Sequence, residues 1–290
     1  MDPILVLASI LLTLALVAMP PLIDGVERKV RASIQSRIGP PIIQTWLDLM
    51  KLLAKEIKLP ESSELAALTA LLSVVISVAL LCCLAVFTAV RMVSVGAALA
   101  IVMLIASLHG LSLLTACTTA NPFAAVGSFR RVALTIVNEA GLLLSIALAL
   151  YSIQISSRSL VPLAISAAML AISGFANSGR LPYDLHEAEP ELASGTVIEL
   201  SGPLLAAEIY SHLAERMALT ALPMYVLFAA LAKNLVVRCL GFLAGSIGLW
   251  LVFAVTSTVL GRSRVDLAIR SLGAVYASMA IAWTGAVLLC

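Results

Sequence analysis

Eight long apolar runs dominate this sequence of 290 residues and leave it few possible folds. Charged residues make up only 12% of the chain, against roughly 25% in an ordinary soluble domain. About 20 apolar helical residues cross a hydrocarbon layer about 30 Å thick. The runs are 3–23, 65–90, 93–115, 132–155, 160–176, 203–230, 235–260 and 272–290. The sequence therefore predicts an all-α, polytopic membrane protein with about eight transmembrane helices, all in a single transmembrane domain over residues 1–290.

One further helix is expected in the polar segment 24–64, between the first two runs. Over 42–58 the apolar residues, Trp46 among them, recur at helical spacing, and polar residues occupy the other face. This pattern is typical of an amphipathic helix that lies in the membrane interface. A solvated basic loop that only fixes the topology is the alternative.

The positive charges indicate a topology. Most of the 18 Lys and Arg residues fall in loops that share one side when eight spans are drawn with the N-terminus outside. Positive loops tend to stay on the cytoplasmic side of the membrane. The chain is therefore expected in the plasma membrane with both termini outside.

An acidic loop over residues 177–202 is then expected to face the cytoplasm. Five of its residues are carboxylates: Asp184, Glu187, Glu189, Glu191 and Glu199. Mutual repulsion of close carboxylates favours the uptake and release of protons near neutral pH. A solvated acidic loop without such a role is the alternative.

Other acidic residues lie inside the apolar runs. Glu139 lies about two turns inside the fourth run, where an acidic side chain costs about 2.5–3.5 kcal/mol at a helix centre. In the sixth run, Glu208, His212 and Glu215 share one helical stripe with Arg216. Such groups normally face a bundle interior or water, which makes these acids and His212 candidate proton carriers. Structural ion pairs are the alternative.

Three other polar residues inside the runs have weaker indications. Thr135 and Asn138 are placed to extend a polar track toward Glu139. His109 stands alone in its run, and a lone histidine is more often hydrogen-bonded to a neighbour than a proton carrier.

The sequence offers no sign of a resident redox centre. Its five cysteines form no Cys-x-x-Cys pair, and no nucleotide-binding motif is visible. One helix with His and Glu supplies too few convergent ligands for a metal site. No metal, cofactor or catalytic residue is therefore expected in this chain, and any redox chemistry should belong to partner subunits.

Several stretches together resemble one family of membrane subunits. It comprises the subunit next to the peripheral arm in respiratory complex I and its counterpart in energy-converting NiFe hydrogenases. The resemblance rests on Glu27-Arg28-Lys29, Gln35-Ser36-Arg37-Ile38-Gly39-Pro40-Pro41, Asp48, Lys51, Asn121-Pro122-Phe123, Arg130, Glu139, Arg180-Leu181-Pro182-Tyr183-Asp184-Leu185, Glu187, Glu189, Glu191, Gly195, Glu199, Arg262, Arg264 and Asp266.

Details of these stretches favour the hydrogenase branch, together with its sulfur-reducing relatives. Gly39-Pro40-Pro41 and Asn121-Pro122-Phe123 look more like that branch. Leu200 stands where an aromatic residue is usual in the family, which disfavours a quinone pocket. The resemblance implies a membrane-anchoring, ion-coupling subunit of a ferredoxin-linked hydrogenase complex.

The resemblance also implies partners and residue roles. Hydrophilic hydrogenase-like large and small subunits and an iron–sulfur subunit would hold the NiFe centre and the clusters, and antiporter-like subunits would lie beside this chain in the lipid membrane. Nucleic acid has no place in such an assembly. Coupling would use the carboxylates and His212 named above. The residues expected to face the peripheral arm are Arg28, Gln35, Arg37, Asp48, Lys51, Arg130, Arg131, Arg180, Arg262, Arg264 and Asp266.

Three alternatives stay open at this point. The chain could be the membrane component at the quinone site of a complex I-like oxidoreductase that takes electrons from NADH, F420H2 or ferredoxin. It could be a passive anchor, in which case neutralising the carboxylates would harm assembly but not coupling. A stand-alone secondary transporter is disfavoured because no internal repeat is visible.

Overall fold

The chain folds into helices in all the parts that the computed structural model describes, namely residues 3–57, 64–118, 122–155, 160–184 and 200–289. These ranges contain no strand, so the all-α prediction is confirmed. The helices are α1 (Pro3–Ile34), α2 (Gln44–Leu53), α3 (Glu64–Val90), α4 (Val95–Thr118), α5 (Pro122–Ile155), α6 (Val161–Asn177), α7 (Gly202–Leu231), α8 (Leu235–Val259) and α9 (Val265–Leu289).

Seven of the described helices, all except α2 and α6, are long and apolar enough to cross a membrane. Helix α6 is apolar but has 17 residues, a length of about 26 Å at 1.5 Å per residue. The eight apolar runs thus correspond to seven long helices and one short one. A multi-pass membrane protein is confirmed, whereas the side on which the termini lie stays a prediction.

Helix α1 continues beyond the predicted end of its run at residue 23. The added turns are polar, but their charges pair along the helix. Arg28 Nε lies 2.9 Å from Asp24 Oδ2, and Arg31 Nη2 lies 2.7 Å from Glu27 Oε1, each one turn apart. Such pairs between residues four positions apart stabilise a helix. Part of the predicted loop is therefore helical.

Three other helix boundaries also differ from the prediction. Helix α5 begins at Pro122 rather than at residue 132, since proline suits the first turn of a helix. Helix α9 begins at Val265 rather than at residue 272, with Asp266 in its first turn, where the helix dipole favours a carboxylate. Helix α2 covers only ten residues of the predicted 42–58.

Helix α7 is the centre of the bundle. It packs against α1, α2, α3, α6 and α8, and 72% of its apolar window is buried, against 17–39% for the other long helices. Gly241 and Gly245 of α8 admit the Phe228 and Met224 side chains of α7. The predicted small-residue packing face is confirmed at these two glycines and wrong at Gly248, which has no neighbour within 4 Å.

Helix α2 rests directly on α1. A Cβ atom at Gly25 would overlap the carbonyl oxygen of Ile42, so only glycine allows this approach of the two backbones. Thr45 and Leu49 of α2 are buried against the bundle, whereas Met50 is exposed. The helix therefore has a packed face and an apolar outer face, as the interfacial prediction requires.

Two arginines at the opposite end of the bundle hold helix ends together. Arg238 donates hydrogen bonds to the carbonyl oxygens of Thr88 and Ala89 at 2.8 and 2.7 Å. Arg91 donates in the same way to Ala229 and Ala230. Carbonyl groups at helix C-termini lack partners within the helix and favour positive charge. These two charges of the predicted outer side thus serve the fold itself.

We predict that Arg238→Met lowers the melting temperature of the purified protein by several degrees. Hydrogen bonds to a charged group contribute about 1.5–3 kcal/mol each, and their loss leaves buried carbonyl groups without a donor. Tryptophan fluorescence during heating in detergent measures the transition. Lys233→Met removes an exposed positive charge at the same end and serves as the control. Equal melting temperatures for the two variants would contradict the capping role.

Candidate functional site

His109 stands between two carboxylates in the apolar part of the bundle. Its Nδ1 atom hydrogen-bonds Glu139 Oε1 at 2.8 Å, and its Nε2 atom lies 2.9 Å from Glu215 Oε1. The second contact is close but bent, so that neither Nε2 nor Oε1 forms an aligned hydrogen bond within the described residues. One imidazole ring therefore connects an acid of α5 with an acid of α7.

The series of titratable groups continues along α7. His212 Nε2 lies 3.2 Å from Glu208 Oε1, and His212 Nδ1 lies 3.7 Å from Glu215 Oε2. Arg131 of α5 brings its guanidinium to 3.6 Å from Glu215 Oε1. The groups alternate in the order carboxylate, imidazole, carboxylate, imidazole, carboxylate. We call Glu139, His109, Glu215, His212, Glu208 and Arg131 the membrane cluster.

Helical spacing explains how three helices build this cluster. Positions 208, 212 and 215 are four and three residues apart, which places their side chains on one stripe of α7. Arg131 and Glu139 lie two turns apart on one side of α5, and α4 supplies His109 between them. Because α5 packs against α4, acids distant in sequence meet at one imidazole.

A cavity of about 220 Å³ adjoins the membrane cluster. Its wall includes Glu139, Glu208 and His212 of the cluster, together with Ser112 and Thr135. Buried Glu208 Oε2 has no hydrogen-bond partner in the described part of the chain. A buried polar atom beside a polar cavity is normally satisfied by water, which occupies about 30 Å³ per molecule. The cavity is therefore large enough for several water molecules.

The membrane cluster is accessible at one end. The Glu139 side chain is 28% exposed, whereas those of Glu208 and Glu215 are 3% and 7% exposed. Ile136, one turn from Glu139, is exposed as well. The series thus runs from a carboxylate at the side of the bundle to a carboxylate in its interior.

The charges of the membrane cluster balance only when it holds protons. Three carboxylates face one guanidinium, and the two imidazoles supply the missing positive charges when both are protonated. Each proton that leaves the cluster adds one negative charge to a buried site of low dielectric. Proton content and buried charge are therefore tightly linked here.

A second polar site, which we call the arginine cleft, lies where α1 meets the segment after α6. It has a volume of about 590 Å³. Apart from Gly179 and Leu181, all its lining residues are polar or charged: Asp24, Glu27, Arg28, Arg31, Arg180, Asp184, Arg216, Ser257 and Arg262. Five arginines face three carboxylates, so the cleft carries a net positive charge.

Glu27 is the buried anchor of the arginine cleft. Its carboxylate accepts hydrogen bonds from Arg180 at 2.5 Å, Trp250 Nε1 at 2.6 Å and Arg31 at 2.7 Å. The Arg180 guanidinium also lies 4.9 Å from the centre of the Trp250 ring. Burial lowers the pKa of Arg180 to about 10; Glu27 opposes this shift, and Arg216 and Arg31 add to it.

The structure brings together most of the intramembrane residues singled out from the sequence. Glu139, Glu208, His212 and Glu215 meet in the membrane cluster. Asp184 instead lies in the arginine cleft, 3.2 Å from Arg262. The other four acids of the predicted loop, Glu187, Glu189, Glu191 and Glu199, lie outside the described residues. Their roles stay predictions.

Two central residues were not predicted from the sequence, and another was misplaced. His109 looked like a lone histidine, because the meeting of α4 with α5 and α7 is not visible in sequence. Glu27 entered only as part of a motif, although its spacing to Arg31 was a usable signal. The predicted polar track is wrong at Asn138, which hydrogen-bonds Ser173 and Tyr276 instead.

The residues predicted to face a peripheral arm fall into two groups. Arg180 and Arg131 point inward, the first to Glu27 and the second to the membrane cluster. Asp48 and Arg130 are partly buried. The exposed members are Arg28, Gln35, Arg37, Lys51, Arg262, Arg264 and Asp266. Only the exposed group lies outside the core in the way that docking requires.

We predict that Glu27→Gln destabilises the protein by about 3–5 kcal/mol, because it leaves buried Arg180 without a counter-charge. Glu27→Gln combined with Arg180→Met should recover part of this loss. Thermal unfolding measures all three proteins, and Glu56→Gln, at an exposed position, is the control. Strict additivity of the two substitutions would argue against the pair.

Comparison with known proteins connects this geometry with a family. The family model described as NADH dehydrogenase matches residues 6–288. The chain is 30% identical to formate hydrogenlyase subunit 4 of Escherichia coli (strain K12), over 68% of this chain and 69% of the relative. It is 33% identical to hydrogenase-4 component C of the same organism, over 71% and 70%. A membrane component of the NADH-quinone oxidoreductase of Geobacillus thermodenitrificans (strain NG80-2) is 31% identical, over 81% and 76%.

A solved structure shares the fold. One chain of the membrane-bound sulfane sulfur reductase, an archaeal respiratory membrane complex, superimposes with a TM-score of 0.71 and covers 96% of this chain and 99% of that one. At 20% identity this likeness supports the fold alone. The family match spans nearly the whole sequence and confirms the resemblance seen in its motifs. The chain belongs to the NADH dehydrogenase family, whose membrane subunits occur in hydrogenase complexes and in complex I.

Proposed function

We propose that this chain is the membrane-anchoring and ion-coupling subunit of a ferredoxin-linked, energy-converting NiFe hydrogenase complex. The two Escherichia coli relatives, one from formate hydrogenlyase and one from hydrogenase-4, support this branch. Redox chemistry would take place in hydrophilic large and small subunits and an iron–sulfur subunit, which would hold the NiFe centre and the clusters. This chain would link that chemistry to ion movement.

The membrane cluster is the observation that carries the proposal. Charged groups inside a membrane are expensive and typically mark proton or ion pathways. A passive anchor has no need of three carboxylates and two imidazoles in alternation beside a polar cavity. Structural ion pairs would use fixed arginines rather than two histidines, whose charge changes near neutral pH.

The exposed end of the cluster indicates where ions leave this subunit. A carboxylate that faced lipid at this depth would be costly, so the side of the bundle near Glu139 requires a cover of protein. An antiporter-like membrane subunit meets this requirement and would accept the ion. Protons would then move from the buried Glu208 end toward Glu139, or in the reverse direction during slippage.

The arginine cleft and the exposed cations beside it suit the docking of the peripheral arm. The cleft is net positive and almost free of hydrocarbon, which fits acidic protein groups better than the isoprenoid tail of a quinone. Arg28, Arg37 and Lys51 extend the positive surface along α1 and α2. A cytoplasmic position of this face, with both termini outside, is consistent with the preference of positive loops for the inner side.

A complex I-like membrane subunit at the quinone site is the second candidate. The relative from the Geobacillus NADH-quinone oxidoreductase aligns over more of this chain than either hydrogenase component does. A sulfur-reducing complex is a related possibility of the same architecture. These candidates share the coupling role and differ in the redox partners.

We predict that Glu139→Gln lowers the number of ions moved per electron by about tenfold or more, because general acid–base groups contribute at least this much. Redox turnover in detergent should be unchanged. The test uses the native complex in proteoliposomes, with ion movement and electron transfer measured together. Glu64→Gln, at the exposed start of α3, is the control. Normal pumping by the Glu139 variant would refute the coupling role.

We predict that gentle purification through a tag on this chain recovers nickel together with iron. Nickel would come from the catalytic large subunit and iron from the clusters of its partners. Mass spectrometry of the co-purified subunits and metal analysis provide the measurement. Iron without nickel would favour the complex I or sulfur-reducing branch, and recovery of the chain alone would contradict both candidates.

A further inference from the structure

His109 holds a position that no other group of the membrane cluster shares. It is the only described residue of the cluster that contacts acids from two different helices. Within α7, His212 links Glu208 to Glu215, but the passage from α7 to α5 goes through the ring of His109. Removing this ring separates Glu139 from the rest of the series.

We propose that His109 is the obligatory proton junction between Glu139 and Glu215, and that the ion crossing this junction is H⁺ and not Na⁺. This inference rests on the coupling role proposed above and assigns both the residue and the ion. It concerns this link alone and leaves the ions moved by partner subunits open.

The chemistry of the step balances on one ring. A neutral ring with hydrogen on Nε2 accepts a proton from Glu139 at Nδ1, and the N–H bond forms as the O–H bond breaks. The resulting imidazolium releases its Nε2 proton to the carboxylate of Glu215. The ring is then neutral with hydrogen on Nδ1, and it must exchange tautomer, by rotation for example, before a second proton can cross.

The observed geometry suits transfer on one side at a time. Nδ1 forms an aligned hydrogen bond to Glu139, whereas Nε2 lies within transfer distance of Glu215 without such a bond. A small turn of the ring is needed to align the second contact. The charged groups facing the ring are Glu139 and Arg131 of α5 and Glu215 of α7, with His212 behind Glu215.

The same geometry excludes a metal cation from this link. A hard cation requires several oxygen ligands that converge on one point. Here an imidazole fills the space between the two carboxylates, and Arg131 already places positive charge beside Glu215. Among the described residues, no group of three His, Cys, Asp or Glu side chains is arranged to hold a metal ion. Protons need only hydrogen-bond distances, which this site provides.

The first test is His109→Gln in the native complex reconstituted in proteoliposomes. Glutamine keeps a side chain that can hydrogen-bond but cannot take up a proton near neutral pH. We expect a loss of about tenfold or more in protons moved per electron, as for Glu139→Gln. Ser107→Ala, on the same helix but away from the cavity wall, should pump normally.

Two outcomes separate this inference from the proposed function. If Glu139→Gln is defective and His109→Gln pumps at the wild-type rate, the coupling role stands and the junction is overturned. If both variants pump normally, the coupling role itself fails. Replacement of sodium by potassium should leave the Glu139-dependent proton movement unchanged. A strict sodium requirement for that movement would overturn the assignment of the ion.

Chemical rescue distinguishes proton transfer from packing. His109→Ala leaves a space that adjoins the 220 Å³ cavity, through which a small ring can enter. We expect added imidazole to restore proton movement, whereas 1,2,4-triazole, of similar size but far weaker basicity, should not. Equal rescue by both compounds, or no rescue by imidazole, would show a defect of packing and overturn the proposal.

Discussion

The cost of burying charge in a membrane governs the arrangement of this bundle. Every ionisable group that leaves water must find a partner, and in hydrocarbon the partner has to come from another helix or from a polar cavity. The chain meets this requirement at three places: the membrane cluster, the arginine cleft and the arginine caps at the opposite end. The helices between them are joined by apolar contacts and close glycine packing.

Helix α7 connects the two polar sites. Glu215 belongs to the membrane cluster, and the next residue, Arg216, lines the arginine cleft and donates to the carbonyl of Ser178. Consecutive helical residues point about 100° apart, so one helix reaches both sites at the same depth. A partner that changes the charge of the cleft therefore acts on a helix whose neighbouring side chain belongs to the proton series.

Hydropathy was sufficient to predict the number of spans and the helical class, because the cost of exposed backbone in lipid permits little else. The intramembrane acids were also predictable, since each one stands out against an apolar run. Their meeting point was not: His109 gains its importance from two helices that approach it in space. The boundaries failed where charged residues extend a helix, as Asp24 and Arg28 do in α1, because hydropathy drops there while helical pairing continues.

The contact between Gly25 and Ile42 gives the surface helix a direct mechanical connection to the interior. The backbone of the segment that leads into α2 touches α1 at Gly25, and the neighbouring Asp24 receives a hydrogen bond from Thr45 of α2. Glu27 follows less than one turn later. A force applied to α2 by an attached assembly is thus passed through a stiff joint to the carboxylate that holds Arg180 in place. A larger residue at position 25 would act like a shim, lifting the surface helix away from the lever it presses on.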